Sequence, residues 1–226
     1  MKADQEETDI LLSWSGGKDS CMALQALQQQ GVRVRALLTT VTEDFDRISM
    51  HGVRRSLLRQ QAASLSLPLR EIMIPRGASN AQYEARMAEA LEEYRRAGIV
   101  TCAFGDLFLE DIRAYRDRQL EAHGMRAIYP LWGRDTSALI RDFIAQGFKT
   151  AVVCVDPRKL PPAFTGRIID AGFLADLPHG VDPCGENGEF HTFVFDGPIF
   201  TAPVRFSFGE TVCREGFWFC DLVPDA

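Results

Sequence analysis

Ile10-Leu11-Leu12-Ser13-Trp14, then Ser15-Gly16-Gly17-Lys18-Asp19-Ser20, then an amphipathic stretch from about Asp19 to Gln30 closed by Gly31: in that order these residues predict a strand, a glycine turn and a helix. A glycine loop between a strand and a helix is physically a cradle for phosphate. Glycines let backbone N–H groups approach an anion closely, and the helix N-terminus adds partial positive charge. Ser15 and Ser20 can donate further hydrogen bonds, and Lys18 can neutralise charge. The stretch is not a Walker A loop, which needs Gly, four residues, then Gly-Lys-Ser/Thr; position 12 is Leu and Lys18 is followed by Asp19. Nor is it G-x-G-x-x-G, because its glycines are adjacent and no third follows. Asp19 has two readings, a magnesium ligand or a carboxylate stabilising the helix start.

Working outward, Val34–Thr40 reads as a second strand and Gly52–Leu67 as a helix with Val53, Leu57, Leu58, Ala62 and Leu65 on one stripe. Leu69–Ile74 is a third strand, Ala81–Ala97 a helix, Ile99–Phe104 a fourth strand, Glu110–His123 a helix and Met125–Tyr129 a fifth strand. This alternation predicts an α/β Rossmann-like fold, a mostly parallel sheet with helices on both faces. Ligands of such sheets bind beyond the carboxyl ends of the strands, where strand order reverses. Pro130-Leu131-Trp132-Gly133 is the expected boundary, giving a nucleotide-binding domain over 1–132 and a smaller C-terminal α+β domain over 133–226 that binds substrate. In the latter, Asp135–Gln146 reads as a helix, Lys149–Val155 as a strand and Phe164–Leu174 as a helix. Three further strands follow at Phe190–Phe195, Val204–Phe208 and Thr211–Asp221.

Composition removes several classes. The 226 residues are 46% hydrophobic and 25% charged, ordinary for a globular chain. No apolar run approaches the roughly 20 residues of a membrane span. Asp4, Glu6, Glu7 and Asp9 are the opposite of a signal peptide's basic start, so the expected location is the cytoplasm. The net charge is −6, with 17 basic and 18 acidic residues through Gly133 and 8 and 13 beyond it. Nucleic-acid binders carry a basic surplus, which argues against that partner. Six scattered cysteines without a C-x-x-C argue against a zinc or dithiol site.

Ser15–Ser20 after the first strand resembles the PP-loop of the N-type ATP pyrophosphatases. A second stretch, Asp182-Pro183-Cys184-Gly185-Glu186-Asn187-Gly188-Glu189-Phe190-His191-Thr192, followed by Asp196-Gly197-Pro198 and Phe200, is similar to the C-terminal signature of the diphthine–ammonia ligase family. His51, Gly105-Asp106 and Pro130-Leu131-Trp132 agree with it, and the resemblance covers roughly residues 9–200. Leu107–Arg116 departs from the Ile-x-Ser-x-Tyr-Gln-Arg of the ligases associated with diphthamide, which makes the chain look like a bacterial-type branch.

The resemblance implies an adenine nucleotide alpha hydrolase-like fold, ATP and Mg2+ as cofactors, and a two-step reaction. A carboxylate attacks the α-phosphorus of ATP, releasing pyrophosphate, and ammonia then displaces AMP to leave an amide. It implies an ATP site at Ser15, Gly16, Gly17, Lys18, Asp19, Ser20 and Thr39, the last by fold-level analogy. It implies catalytic roles for Lys18, Asp19, Glu186 and Glu189, substrate contacts at His51, Asp106, Gly185 and His191, and a magnesium ligand in Asp19. Each has a plainer alternative: the two glutamates as exposed loop acids, the histidines as packing or capping groups, Asp106 as a turn former. Cys184 reads as structural, Trp132 as packing, and Arg113, Arg116 and Arg118 as a solvated helix face. Expected partners are ammonia and a carboxylate acceptor, a protein side chain among the options, with a homo-oligomer as a further expectation and no membrane. Two alternatives compete: a PP-loop enzyme acting on another substrate, sulfur insertion into tRNA included, and an ATP- or AMP-binding module without catalysis.

Overall fold

The computed structural model describes residues 9–225, so Asp4, Glu6 and Glu7 lie outside the described residues. Strand β1 (Ile10–Ser13) runs through the glycine loop into α1 (Lys18–Gln29) and on to β2 (Val34–Thr42). A 3-10 turn leads to the two-residue β3 (Arg47–Ile48), followed by α2 (Arg55–Ser64), β4 (Leu69–Ile74), α3 (Asn80–Arg96), β5 (Thr101–Ala103), α4 (Glu110–Glu121) and β6 (Arg126–Ile128). β1 pairs in parallel with β2 on one side and β5 on the other, β4 adds to β2, and β6 adds to β5. The parallel order is thus β4-β2-β1-β5-β6, and among the described residues only β3 joins this sheet antiparallel, at the far end of β2. The chain moves outward from β1 and returns through β5, so strand order reverses between β1 and β5. The loops after those two strands face one crevice.

Alternation along the strands explains the layers. Leu12 and Leu37 face one way, into a core shared with Leu24 and Leu27 of α1 and Leu57 and Leu58 of α2. Leu11, Ala36 and Leu38 face the other, onto Ala90 and Leu91 of α3 and Leu120 of α4. Strands buried on both faces read as continuous apolar runs, which is what Ile10–Leu12 shows.

The remaining elements are α5 (Thr136–Ala145), β7 (Lys149–Val155), α6 (Ala171–Asp176), β8 (Phe190–Asp196), β9 (Phe206–Arg214) and β10 (Phe217–Pro224). They build an antiparallel sheet of order β8-β7-β10-β9. Phe143 of α5, Val152 of β7 and Phe193 of β8 join the same core as α1, so this sheet rests on the α1 face.

Two sequence expectations are corrected here. The helix predicted over Phe164–Leu174 is a 3-10 turn at Pro162–Phe164, a bridge between Ile168 and Ala151, and the short α6. Gly166 and Asp170 interrupt the apolar period, and Asp170 caps α6 by accepting from Phe173 N at 2.8 Å. The strand predicted over Thr211–Asp221 is the hairpin of β9 and β10, reversed at Glu215 and Gly216 with φ of 50° and 83°, the left-handed pair that a tight hairpin needs.

Candidate functional site

The loop Ser15–Ser20 lies at the carboxyl end of β1, beside the point where strand order reverses. Gly16 adopts φ +78°, and Gly17 lies so near β8 that a Cβ there would meet the Thr192 carbonyl and hydroxyl at 3.1 Å. The loop is therefore closed from the C-terminal half of the chain. Thr192 Oγ1 accepts from the Lys18 N–H at 3.1 Å, and Val194 N donates to Gly16 O at 2.9 Å. Ser15 Oγ accepts from Gly17 N at 3.2 Å. Gly105, after β5, closes it from the other side: a Cβ there would strike the Asp19 backbone at 2.9 Å, so that loop packs directly on the start of α1.

Lys18 is buried, with Nζ 2.7 Å from Asp19 Oδ2. Burial alone lowers its pKa, but the Asp19 carboxylate outweighs this, with Cys184 and Glu186 adding, so the ammonium is held above its ordinary value. Asp19 is raised, by burial first and then by Asp182 and Asp106, against the pull of Lys18. Its Oδ1 is buried without a hydrogen-bond partner. Met22, Leu139, Ile140, Phe143 and Cys184 pack around this pair.

Mg2+ commonly takes one or two carboxylates plus substrate phosphates and water. The free Asp19 Oδ1 fits that donor set. Among the described residues, no three His, Cys, Asp or Glu side chains are arranged to hold a metal ion unaided.

The segment 182–192 supplies the opposite wall. Gly185 N donates to Asp182 O at 2.8 Å and Glu186 N to Asp182 Oδ2 at 2.8 Å, which folds the segment into a compact turn. Glu186 Oε1 accepts from Leu107 N at 2.8 Å, reaching across to the loop after β5. Burial, with the Asp19 and Asp106 charges behind it, raises the Glu186 carboxyl to about 7. Glu189 is 4% exposed; its Oε1 accepts from Asp182 N and Asn187 Nδ2, while its buried Oε2 has no partner. Neither glutamate is an exposed loop acid.

His51 and His191 face each other with ring centroids 4.7 Å apart. Burial lowers His51 to about 4 and His191 to about 3, so both are neutral at pH 7. His51 Nδ1 lies 3.1 Å from Thr192 O, and since a carbonyl only accepts, the proton sits on Nδ1 and Nε2 is an acceptor. Asp106 lies 2.9 Å from Arg116 Nε, and Arg116 also stacks over Phe104 at 4.4 Å. Arg113 covers Trp132 at 4.6 Å. Of the three arginines on α4, Arg118 is exposed and the Arg113 side chain is 42% exposed where it lies over Trp132, so only Arg116, turned onto Asp106, departs from the expected solvated face. Thr39 is buried within β2, three residues before its end, with Oγ1 unpartnered. Cys184 donates to Thr136 O at 3.3 Å and is pushed up to about 12 by burial, an inert thiol.

Two groups of residues thus meet here, one from each half of the chain, and both halves match known family models. Residues 8–127 match the diphthamide synthase N-terminal domain, and residues 135–222 match the diphthamide synthase C-terminal domain. The chain belongs to the diphthamide synthase family. It is 24% identical over 230 residues to the diphthine–ammonia ligase of Mus musculus, covering 92% of this chain and 86% of the mouse protein. The diphthine–ammonia ligase of Danio rerio is 25% identical over 226 residues, with 89% and 87% covered. That of Schizosaccharomyces pombe is 26% identical over 227 residues, with 92% of this chain but 38% of the yeast protein covered.

In this member of the diphthamide synthase family, sequence reasoning missed Gln61 and left Asp182 and Thr192, both within the quoted signature, without a role. Gln61 had a signal. It falls on the apolar stripe of α2, between Leu58 and Ala62, where a polar side chain must find buried partners.

Proposed function

We propose that this protein is an ATP-dependent ligase that adenylates a carboxylate and amidates it with ammonia. Residues 1–132 hold the nucleotide and residues 133–226 the acceptor. The observation that carries this reading is the Glu186–Leu107 bond: it ties the 182–192 segment to the loop after β5 and sets a carboxylate raised to about 7 within electrostatic reach of Lys18 and Asp19. The names of the mouse, zebrafish and yeast relatives support the same chemistry.

The acceptor carboxylate attacks the α-phosphorus; the bond to the β-phosphate breaks and pyrophosphate leaves with the electron pair. The Ser15–Ser20 loop and the Lys18 ammonium stabilise that leaving charge. Mg2+ held by Asp19 Oδ1 and the phosphates would add Lewis-acid stabilisation. Ammonia then attacks the acyl carbon, AMP departs, and the nitrogen loses one proton. Glu186, half-ionised near neutral pH, is suited to take it. His51 and His191, neutral and enclosed, orient substrate rather than carry charge.

The test follows α-labelled ATP with magnesium, with and without ammonium and cell extract. Label in AMP, with pyrophosphate rising on addition of extract, is the expected result and gives a means of fractionating the acceptor. ADP and phosphate would overturn the reading.

A further inference from the structure

Gln61 does not face the crevice, yet it holds the loop from behind. It is fully buried, and both ends of its amide are used. Trp14 Nε1 donates to Oε1 at 2.8 Å, and Nε2 donates to Gly16 O at 3.0 Å and to Val194 O at 2.6 Å. Val194 N donates to the same Gly16 carbonyl at 2.9 Å. One side chain on α2 therefore ties together the end of β1, the first loop glycine and β8. Fit is mutual, since a Cβ on Gly16 would meet Gln61 Oε1 at 2.9 Å.

The consequence follows from peptide geometry. In a planar trans peptide the C=O of residue 16 and the N–H of residue 17 point in opposite directions. The Gly16–Gly17 peptide is flanked by two glycines, which makes it the easiest in the loop to rotate. Turned over, it would present a carbonyl oxygen to an anion. With Gly16 O clamped toward Gln61 and Val194, Gly17 N–H is aimed the other way, where it meets Ser15 Oγ at 3.2 Å.

We propose that Gln61 is a positioning residue for the phosphate loop: it orients the Gly16–Gly17 peptide and so sets nucleotide affinity without touching nucleotide. This rests on the loop being the ATP site.

The test measures Mg·ATP binding by calorimetry for the wild-type protein, Gln61→Met and Gln61→Glu, at a temperature well below every Tm. Gln61→Met keeps length and removes the amide. Gln61→Glu keeps shape and the acceptor for Trp14 but sets a carboxylate against two carbonyls. Dissociation constants raised roughly ten- to a hundredfold, the factor for one lost hydrogen bond to a charged group, are expected in both. Should one variant fail to fold, the other is read in the same way. Lowered Tm with unchanged affinity would reduce Gln61 to a structural residue and overturn the proposal. No Mg·ATP binding by the wild-type protein would instead defeat the nucleotide-site reading.

Discussion

β8 and β9 are the two outer strands of one antiparallel sheet, and they meet opposite fates. Four of the seven residues of β8 are buried, and its outer edge is taken up by the glycine loop through Thr192 and Val194 and by Val204 N donating to Phe195 O. β9 has no buried residue, and among the described residues it pairs only with β10. Both strands mix phenylalanine with polar residues, three phenylalanines in β8 and two in β9, so β-propensity does not separate them. What does is the neighbour each edge finds. An edge strand is a row of unpaired donors and acceptors. Here one row is used to hold a loop from the other half of the chain, whereas β9 reaches β8 through the Phe206 ring, 6.3 Å from Phe193 and 5.2 Å from Phe195.

The largest effect is expected in the loop itself. Lys18→Ala or Asp19→Ala should abolish ATP turnover, a loss on the order of 10²- to 10³-fold or more, as expected when a group that stabilises developing charge is removed. Circular dichroism should show the fold retained, and AMP release is the readout. Turnover unchanged in both variants would take the loop out of the chemistry and leave β8 clamping an inert turn.

Next comes the clamp. Thr192→Val preserves shape and deletes the acceptor for the buried Lys18 N–H. Leaving that donor unsatisfied should cost about 1–3 kcal/mol, a Tm drop of roughly 2–4 °C for each kcal/mol in a chain of this size. Mg·ATP affinity should fall with it. A Tm equal to wild type in thermal melts would mean that β8 does not hold the loop.

The contrast between the strands also marks what could be read before the fold was known. The Ser15–Ser20 loop was legible because its determinants are contiguous: strand, glycines and helix start all lie within twelve residues. The parallel sheet followed from regular alternation. The clamp was not legible, because Lys18 and Thr192 lie 174 positions apart and Glu186 and Leu107 lie 79 apart. Gln61 was visible only as a polar interruption in an apolar stripe. Residues 156–189 defeated periodicity because turns, a bridge and backbone-to-carboxylate bonds order them. Arg116 was hidden by its own helix, whose surface is otherwise charged; only the loop after β5 shows that it faces Asp106.

A titration tests the middle of the crevice. Glu186 is raised from 4.5 to about 7 by burial and by Asp19 and Asp106. The folded state therefore holds a proton that the unfolded chain has released between about pH 4.5 and pH 7, and stability falls as pH rises through that window. Glu186→Gln should flatten this part of the Tm-versus-pH curve and leave the acid limb, set by Asp221 and Glu71 near 2, untouched. If Glu186 is the base for ammonia, AMP formation in the presence of acceptor, followed at constant free ammonia, should rise with pH through about 7 in the wild-type protein, and the variant should lose that rise. An identical Tm profile in the two proteins would place Glu186 in a more solvated setting than the Leu107 bond implies.

The smallest effect should lie on the free edge. Phe208 is 51% exposed on β9, touching Phe206 at a ring distance of 5.4 Å and pairing with Leu222 across β10. Phe208→Ser gives up apolar contact on one side only, so the loss should stay within about 1 kcal/mol, as for surface substitutions away from a core. Mg·ATP affinity should not change, since among the described residues no hydrogen bond links β9 to the loop. The decisive comparison is Phe208→Ser against Thr192→Val in the same binding assay: side chains on the two edges of one sheet, only one of which the loop depends on. Equal losses of affinity would mean that the sheet moves as a rigid plate and that the β8 edge has no special hold on the loop. A loss confined to Thr192→Val would locate the coupling between the two halves of the chain in the hydrogen bonds of that single edge.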